Sequence, residues 1–267
     1  MRPDEIALRL LRLDAERMGR PLAGVFRDSQ GFARLLWYAL SHWRVLRREP
    51  VWLVFLKQVY FTGIQALPAI AVMAALSGVV VTAQIVSLAG QSPGLLAKIM
   101  LWVVVRELGP LLTAIVIIAR SSAATASELA SMTVRGEIDA LRSMGISPND
   151  YLMVPRVAAV TVSVMVVTFY FQVIAVMAGV TFNAVAHGVP FWDTVRALLD
   201  QMSQYEILVS MIKGMVFGFM ISVTSCYFGF NAQRSVTAVP RAATSAVVRN
   251  LLGVFVVDGV ITYAAFV

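Results

Sequence analysis

Five long apolar segments constrain this chain more than any other feature of its sequence. Each holds the roughly 20 apolar residues needed to cross the hydrocarbon core of a bilayer. They occupy residues 62–89, 97–126, 154–183, 207–230 and 244–266. The composition agrees, because 59% of the 267 residues are hydrophobic and only 14% are charged, whereas about a quarter are charged in soluble domains. The sequence therefore predicts an all-α integral membrane protein with five transmembrane helices.

The first 57 residues differ from the rest, because they contain 11 of the 22 lysine and arginine residues. Within residues 31–49, apolar side chains recur on one helical face and arginines lie mostly off it. The apolar positions are Phe32, Leu35, Leu36, Ala39, Leu40, Trp43 and Leu46. Such a helix suits a membrane interface or the surface of a soluble partner, and residues 4–18 carry a weaker stripe. We therefore divide the chain into a basic cytoplasmic or interfacial helical region, 1–57, and a five-span domain, 58–267.

The lysine and arginine residues in the connections predict the orientation. With the N-terminus inside, most of these residues fall in the inside segments 1–57, 127–153 and 231–243, whereas the outer connections 90–96 and 184–206 hold only Arg196. Short basic connections stay on the cytoplasmic side, so we expect a cytoplasmic N-terminus and a C-terminus on the other side. The same connections explain the net charge of +7. The sequence shows no patch of interleaved aromatic and basic residues of the kind that binds nucleic acid.

The sequence carries no recognisable catalytic motif. It lacks the P-loop pattern GxxxxGK[ST] and the zinc motif HExxH. Its two histidines, His42 and His187, are predicted to lie on opposite sides of the membrane. We therefore expect no enzyme activity, no metal site and no cofactor on this chain.

Charged residues inside the apolar segments are the strongest functional signal. The stretch VVVRELGPLL places Arg106 and Glu107 in the second segment, next to Pro110, which is expected to kink the helix. A charge at this depth costs about 2.5–3.5 kcal/mol, so it is expected to pair or to face a wet cavity. Lys213 in the fourth segment is a candidate partner for Glu107. These residues form either a salt bridge that locks helices or the polar rim of a substrate cavity, and Asp258 admits the same two readings.

Small residues crowd the inner end of the second segment, in the stretch ARSSAATASELASM. Small side chains let helices approach closely in lipid. The stretch indicates close packing either within one chain or at a dimer seam.

The stretch RGEIDALRSMGISP, residues 135–148, predicts a short cytoplasmic helix between the second and third spans. Apolar residues fall on one face of that helix, namely Val134, Ile138, Leu141 and Met144. The spacing also predicts a cap at Thr133, ion pairs of Asp139 with Arg135 and Arg142, and a left-handed C-terminal glycine, Gly145. The apolar face needs a partner, which is either the base of the protein itself or another cytosolic protein.

Two consecutive motifs resemble the MlaE (also YrbE) permease family of lipid ABC transporters. They are RELGPLLTAIVIIAR and SELASMTVRGEIDALRSMGISPNDYLMVPR, within residues 106–156. The sequence departs from the family pattern at Ala130, where glycine is usual, and at Gly136 and Glu137, where Glu-Gln or Glu-Glu is common.

This resemblance implies a transmembrane permease subunit in the bacterial inner membrane that moves phospholipid or a related lipid between the inner and outer membranes. It implies a homodimer, a cytosolic ABC ATPase that binds ATP and Mg, a periplasmic MCE-domain protein and, in some systems, a STAS-domain protein. The short helix becomes a coupling helix that contacts the ATPase, through Val134, Glu137, Ile138, Asp139, Leu141, Arg142, Met144 and Gly145.

The resemblance also assigns a lipid cavity. Its expected polar residues are Arg106, Glu107 and Lys213, and its expected apolar residues are Val79, Val86 and Leu88 in the first span. Arg241 matches a basic position before the last span. The alternatives are a stand-alone secondary transporter or channel, against which the five spans without an inverted repeat weigh, and a structural membrane scaffold.

Overall fold

Five helical stretches among the described residues are long and apolar enough to cross a membrane in the computed structural model, which describes residues 35, 37–39, 41–90 and 92–266. We number them as spans 1 to 5 in chain order: Glu49–Leu88, Gly94–Val134, Asn149–His187, Gln204–Phe230 and Ala238–Ala265. The described residues contain no β-strand. The predicted five-span, all-α fold is confirmed, although spans 1 to 3 are longer than predicted.

The spans are built from α-helices interrupted by short irregular segments. The α-helices are Glu49–Thr62 (α1), Leu67–Ala89 (α2), Pro93–Met100 (α3), Gly109–Ile117 (α4), Ala123–Val134 (α5), Glu137–Ser143 (α6), Val154–His187 (α7), Phe191–Gln201 (α8), Gln204–Phe230 (α9) and Ala238–Phe266 (α10). Three π-helical segments lie at Leu101–Leu108, Ile118–Ser122 and Asn149–Met153, and 3₁₀ turns at Trp43–Arg47 and Ile64–Ala66.

Proline explains the break inside span 1. Pro68 lies in the first turn of α2 and cannot donate a hydrogen bond to the carbonyl of Ile64. The chain therefore leaves α1 at Gly63 and passes through the 3₁₀ turn Ile64–Ala66 before α2 begins. With 23 residues, α2 is about 34 Å long and matches the predicted first span.

The amphipathic helix predicted for residues 31–49 is not continuous. Within it, Leu35, Trp37, Tyr38, Ala39 and Ser41 are helical, His42 interrupts the helix, and Trp43–Arg47 form a single 3₁₀ turn. Pro50 in the first turn of α1 excludes a helix that runs through from upstream, and Arg48 is extended. The weaker stripe at residues 4–18 lies outside the described residues, and the division of the chain at residues 57 and 58 stays a prediction.

Residues His42–Val267 form one compact unit with two apolar clusters. The larger cluster joins spans 1, 2 and 3, with Ile70, Met100 and Phe171 fully buried or nearly so. The smaller joins spans 2, 4 and 5 around Ala114, Ile118, Phe217, Ile221 and Val254. Span 2 contributes to both clusters and therefore holds the bundle together.

The small residues at the inner end of span 2 pack within the chain. Ala126 and Ala130 are fully buried on α5, which packs against α9 and α10. Gly229 of span 4 lies so close to Leu129 that a Cβ atom there would approach the Leu129 Cβ to 2.5 Å. The sequence left open whether these residues pack within one chain or at a dimer seam. In the structure they lie at a contact within the chain, between spans 2, 4 and 5.

Gly78 tests the contact between spans 1 and 3. A Cβ atom at Gly78 would lie 2.0 Å from the carbonyl oxygen of Ala175, whereas one at Gly259 would meet nothing within 4 Å. We expect Gly78→Ala to lower the stability of the purified chain by about 1–3 kcal/mol because backbone must shift. Gly259→Ala should leave it unchanged. Thermal unfolding in detergent, followed by loss of the monodisperse peak, checks this, and equal midpoints for the two variants would contradict it.

Candidate functional site

Spans 2, 4 and 5 bring four polar side chains together inside the apolar bundle. The amine of Lys213 lies 2.6 Å from Glu107 Oε2 and 2.9 Å from Asp258 Oδ1, and it donates to Thr262 Oγ1 at 2.7 Å. Thr262 in turn donates to Glu107 at 3.1 Å. The Lys213 side chain is 0% exposed, so these three oxygens surround its amine in place of water, two of them as hydrogen-bond acceptors. We call Glu107, Lys213, Asp258 and Thr262 the charge cluster.

Arg106 balances the charge of this cluster. Its Nε lies 3.7 Å from Glu107 Oε1, and its guanidinium carbon lies 5.8 Å from the ring centre of Trp102. Two cations and two carboxylates therefore share one region with no net charge. The carboxylates are the accessible members, with Glu107 33% and Asp258 17% exposed.

A π-helical segment positions Arg106 and Glu107. Both residues lie in Leu101–Leu108, and Pro110 follows in the first turn of α4, where it cannot donate to the Arg106 carbonyl. Gln172 of span 3 donates to the carbonyl of Val105 at 2.9 Å. π-Helical turns occur frequently at functional sites. The irregular backbone here is supported by a side chain from a neighbouring span, as buried polar groups in a membrane require.

The expected pairing of Lys213 with Glu107 is present, but the apolar cavity residues lie elsewhere in the single chain. Val86 is buried in the cluster of spans 1, 2 and 3, and Val79 is partly buried. Leu88 is 88% exposed at the end of span 1. These three residues belong to a span that packs on span 3, whereas the charge cluster joins spans 2, 4 and 5. Their shared cavity stays a prediction.

The helix predicted between spans 2 and 3 is present as α6, with a different N-terminus. Thr133 does not cap it, because Thr133 lies inside α5 and donates to the carbonyls of Leu129 and Gly229. The residue before α6 is Gly136, whose φ of +77° suits glycine alone without strain. The C-terminus follows the prediction, since Gly145 has φ +75° and Ile146 donates to the Leu141 carbonyl at 3.0 Å, as in a Schellman motif.

The ion pairs of α6 are partly those predicted. Arg142 pairs with Asp139 at 3.4 Å. The predicted pair of Arg135 and Asp139 is wrong: Arg135 instead lies 2.9 Å from Glu137. The left-handed Gly136 separates Arg135 from α6, so the helical spacing that the prediction assumed does not hold. Asp139 also pairs with Arg234, which tethers α6 to the connection between spans 4 and 5.

The apolar face of α6 is buried against the protein at one position and exposed at another. Ile138 is 4% exposed, whereas Met144 is 64% exposed; Val134 and Leu141 are intermediate. The helix thus rests on the base of the bundle through Ile138 and leaves its C-terminal end uncovered.

Several polar contacts were missed by sequence reasoning. Arg156 of span 3 donates to Glu128 of span 2 at 2.7 Å and so joins the two spans on either side of α6. Arg120, in the second π-helical segment, donates to Gln65 Oε1 at 2.7 Å and to the Gln65 carbonyl in the break of span 1. Both arginines met the criterion that singled out Arg106, a charge within or beside an apolar segment. The role of Thr262 had no comparable signal, because threonine is common in spans.

Comparison with known proteins finds similarity to membrane permeases. Residues 55–264 match the sequence profile of the family Permease MlaE. A probable ABC transporter permease protein of Rickettsia typhi is 30% identical over 90% of this chain and 93% of its own length. A probable ABC transporter permease protein of Rickettsia prowazekii is 30% identical over 82% of this chain and 86% of its own length. The chloroplastic protein TRIGALACTOSYLDIACYLGLYCEROL 1 of Arabidopsis thaliana is 33% identical over 59% of this chain and 45% of its own length.

Lys213 should be the most sensitive member of the charge cluster. Lys213→Met leaves Asp258 without its cation and Glu107 with the longer contact to Arg106 alone, and breaking a buried ion pair in this way costs about 3–5 kcal/mol. We expect a large loss of folded protein, measured as the monodisperse fraction that survives heating in detergent. Lys98→Met, which removes an exposed lysine from α3, is the control and should behave as the unmodified chain. A normal heating curve for Lys213→Met would mean that the cluster contributes nothing to stability.

Proposed function

The chain belongs to the MlaE permease family, and on this premise we propose that it is the multi-pass permease subunit of an ABC transporter that moves phospholipid or a related lipid between the inner and outer membranes. It works as a homodimer in the bacterial inner membrane, with a cytoplasmic N-terminus and a periplasmic C-terminus. ATP and Mg are bound by a separate cytosolic ATPase. A periplasmic MCE-domain protein receives or supplies the lipid, and a STAS-domain protein joins the ATPase in some systems.

The observation that carries this proposal is the position and surface of α6. It lies between spans 2 and 3, on the side to which the basic connections assign the cytoplasm. It is held to the bundle by Ile138 and by the pair of Asp139 with Arg234, while Met144 and the C-terminal turn stay open. A helix that is anchored on one side and exposed on the other suits the transmission of force from a partner, which is the role of a coupling helix.

The charge cluster supports a lipid as the cargo. A phospholipid needs apolar walls for its tails and a few charges for its headgroup, and Arg106 and Lys213 supply cations that phosphate prefers. Both are buried, and the amine of Lys213 contacts Glu107, Asp258 and Thr262 within the chain. A headgroup therefore reaches them only when spans 2, 4 and 5 separate, and we assign that separation to the ATPase cycle. The relative from Arabidopsis is named for a glycerolipid, trigalactosyldiacylglycerol.

The homodimer is supported by the exposed surface of span 5. Only 17% of the most apolar part of this span is buried within the chain. Its exposed apolar side chains are Val248, Leu252, Phe255, Val256, Val260 and Tyr263. Such a surface is covered either by lipid or by a second copy of the chain, and the family resemblance favours the second copy for at least part of it.

A structural scaffold is the second candidate, and one observation favours it. Each charge of the charge cluster has an opposite charge nearby without a ligand, as in a helix lock. The two functions can be distinguished by a substitution that changes the charge of the cluster but not its packing. Such a substitution should alter lipid transfer if the cluster lines a cavity and leave it unchanged if the cluster is a scaffold.

The coupling role of α6 predicts loss of the ATPase on mutation. Glu137→Lys reverses a charge at the start of α6, and Leu141→Asp places a charge on its half-buried face. Each should lower copurification of the ATPase with the tagged permease by more than about tenfold, the scale of one lost interface anchor. Asp193→Lys on α8 reverses a charge at the other end of the bundle and should retain the ATPase. If Glu137→Lys and Leu141→Asp both keep the partner and transport, the coupling role is wrong.

The cavity role predicts a specific effect of Glu107→Gln. The substitution preserves the side-chain shape but leaves the cluster and the neighbouring Arg106 together with one excess positive charge. A phosphate headgroup should then be held more tightly, so we expect more copurified phospholipid and roughly tenfold slower lipid transfer in proteoliposomes, the scale of one charge-assisted hydrogen bond. Asp200→Asn removes an exposed carboxylate from α8, outside the cluster, and should keep transfer near the normal rate. Unchanged lipid content and transfer in Glu107→Gln would favour the scaffold.

A further inference from the structure

A cavity of about 420 Å³ lies at the inner end of span 1, apart from the charge cluster. It is formed by the 3₁₀ turn Trp43–Arg47 and the first turn of α1. Its lining residues are Trp43, Arg44, Leu46, Arg47, Glu49 and Trp52. Aromatic rings therefore face the same space as two arginines, and we call this cavity the Trp-Arg pocket.

The arginines of the Trp-Arg pocket are available for a ligand. Among the described residues, Arg44 and Arg47 have neither a carboxylate nor a hydrogen-bond partner. Among the described lining residues, Glu49 is the only acid, and it lies in the first turn of α1, where a negative charge is stabilised by the helix dipole. The lining therefore carries a net positive charge and is complementary to an anion.

The surface next to the pocket is apolar and exposed. Trp43 is 63% and Trp52 47% exposed, and the ring of Trp52 stacks on Phe55 at a centroid distance of 4.9 Å. Exposed apolar side chains continue along α1 towards the membrane centre at Leu53, Leu56 and Tyr60, and then at Ile64 in the 3₁₀ turn. Tryptophan beside arginine at the end of a span is typical of the membrane interface. An acyl chain that runs along α1 would leave its headgroup at the two arginines.

We infer that the Trp-Arg pocket binds the headgroup of an anionic phospholipid of the cytoplasmic leaflet. Arg44 and Arg47 contact the phosphodiester and the two tryptophans pack on the glycerol and upper acyl region. This lipid is held at the protein's surface and is not the transported one, because the pocket lies on the 3₁₀ turn and α1 rather than on spans 2, 4 and 5. Only the choice of leaflet rests on the orientation proposed above.

Native mass spectrometry of the full chain in detergent tests this inference. The chain is titrated separately with phosphatidylglycerol and with phosphatidylcholine of the same acyl chains. The double variant Arg44→Gln/Arg47→Gln should lower the apparent affinity for phosphatidylglycerol roughly thirtyfold, which corresponds to about 1 kcal/mol for each arginine near an anionic lipid. Arg44→Lys/Arg47→Lys keeps the charge and should lose much less. Both positions are exposed, so folding should be unaffected, and a monodisperse elution profile checks this.

The matched control removes two other cations on the same predicted side. Lys57→Gln/Arg241→Gln eliminates an exposed lysine and an exposed arginine outside the pocket, and it should retain phosphatidylglycerol binding. Equal losses in the two double variants would overturn the inference, since they would indicate attraction to diffuse basic charge. Equal affinity for phosphatidylcholine would overturn it too, and so would full competition by soluble glycerol phosphate. Copurification of the ATPase should survive in Arg44→Gln/Arg47→Gln, which separates a failure here from a failure of the proposed function.

Discussion

The absence of water inside a bilayer is the constraint on which the rest of this structure depends. A lysine at the depth of Lys213 has nothing to solvate its charge except other parts of the protein. Glu107, Asp258 and Thr262 come from spans 2 and 5 and surround its amine, with hydrogen bonds to Glu107 and Thr262 and an ion pair with Asp258. Because each of these helices contributes a charge that is costly alone, spans 2, 4 and 5 are held in one arrangement. The same condition makes any separation of these spans expensive unless another polar group, such as a lipid headgroup, enters.

Span 2 links this cluster to the end of the bundle where α6 lies. It carries Glu107 in its N-terminal half, contributes to both apolar clusters, and ends at Val134 just before α6. Near its C-terminal end Glu128 pairs with Arg156 of span 3, and α6 is tethered to the connection between spans 4 and 5 by Asp139 and Arg234. A displacement of α6 thus acts on spans 2, 3, 4 and 5 through contacts that exist in the chain. The ion pair at Arg234 is exposed and by itself contributes little, so Ile138 and the Glu128–Arg156 pair are the more substantial connections.

The irregular backbone is concentrated where charged side chains meet it. The first π-helical segment contains Arg106 and Glu107, and the second contains Arg120, which contacts the 3₁₀ turn in span 1 through Gln65. In a membrane, carbonyls released by such segments need donors from neighbouring helices. Gln172 and Arg120 are such donors. The irregular segments are therefore stabilised by tertiary contacts, and span 2 is not a uniform rod.

The sequence by itself determined the five spans, the helix between the second and third and the left-handed glycine that ends it, and it indicated Lys213 as a candidate partner for Glu107. These follow from segment length, hydrophobic periodicity and the cost of a charge in lipid, all of which act locally. It did not determine that Asp258 and Thr262 complete the cluster or that Arg135 pairs with Glu137. Nor did it determine that Ile138 of α6 is buried while Met144 is exposed. Those features depend on how far each helix is rotated about its axis and which helices it touches. A sequence specifies the depth of a residue along a span, but only packing against neighbouring helices decides the direction in which its side chain points.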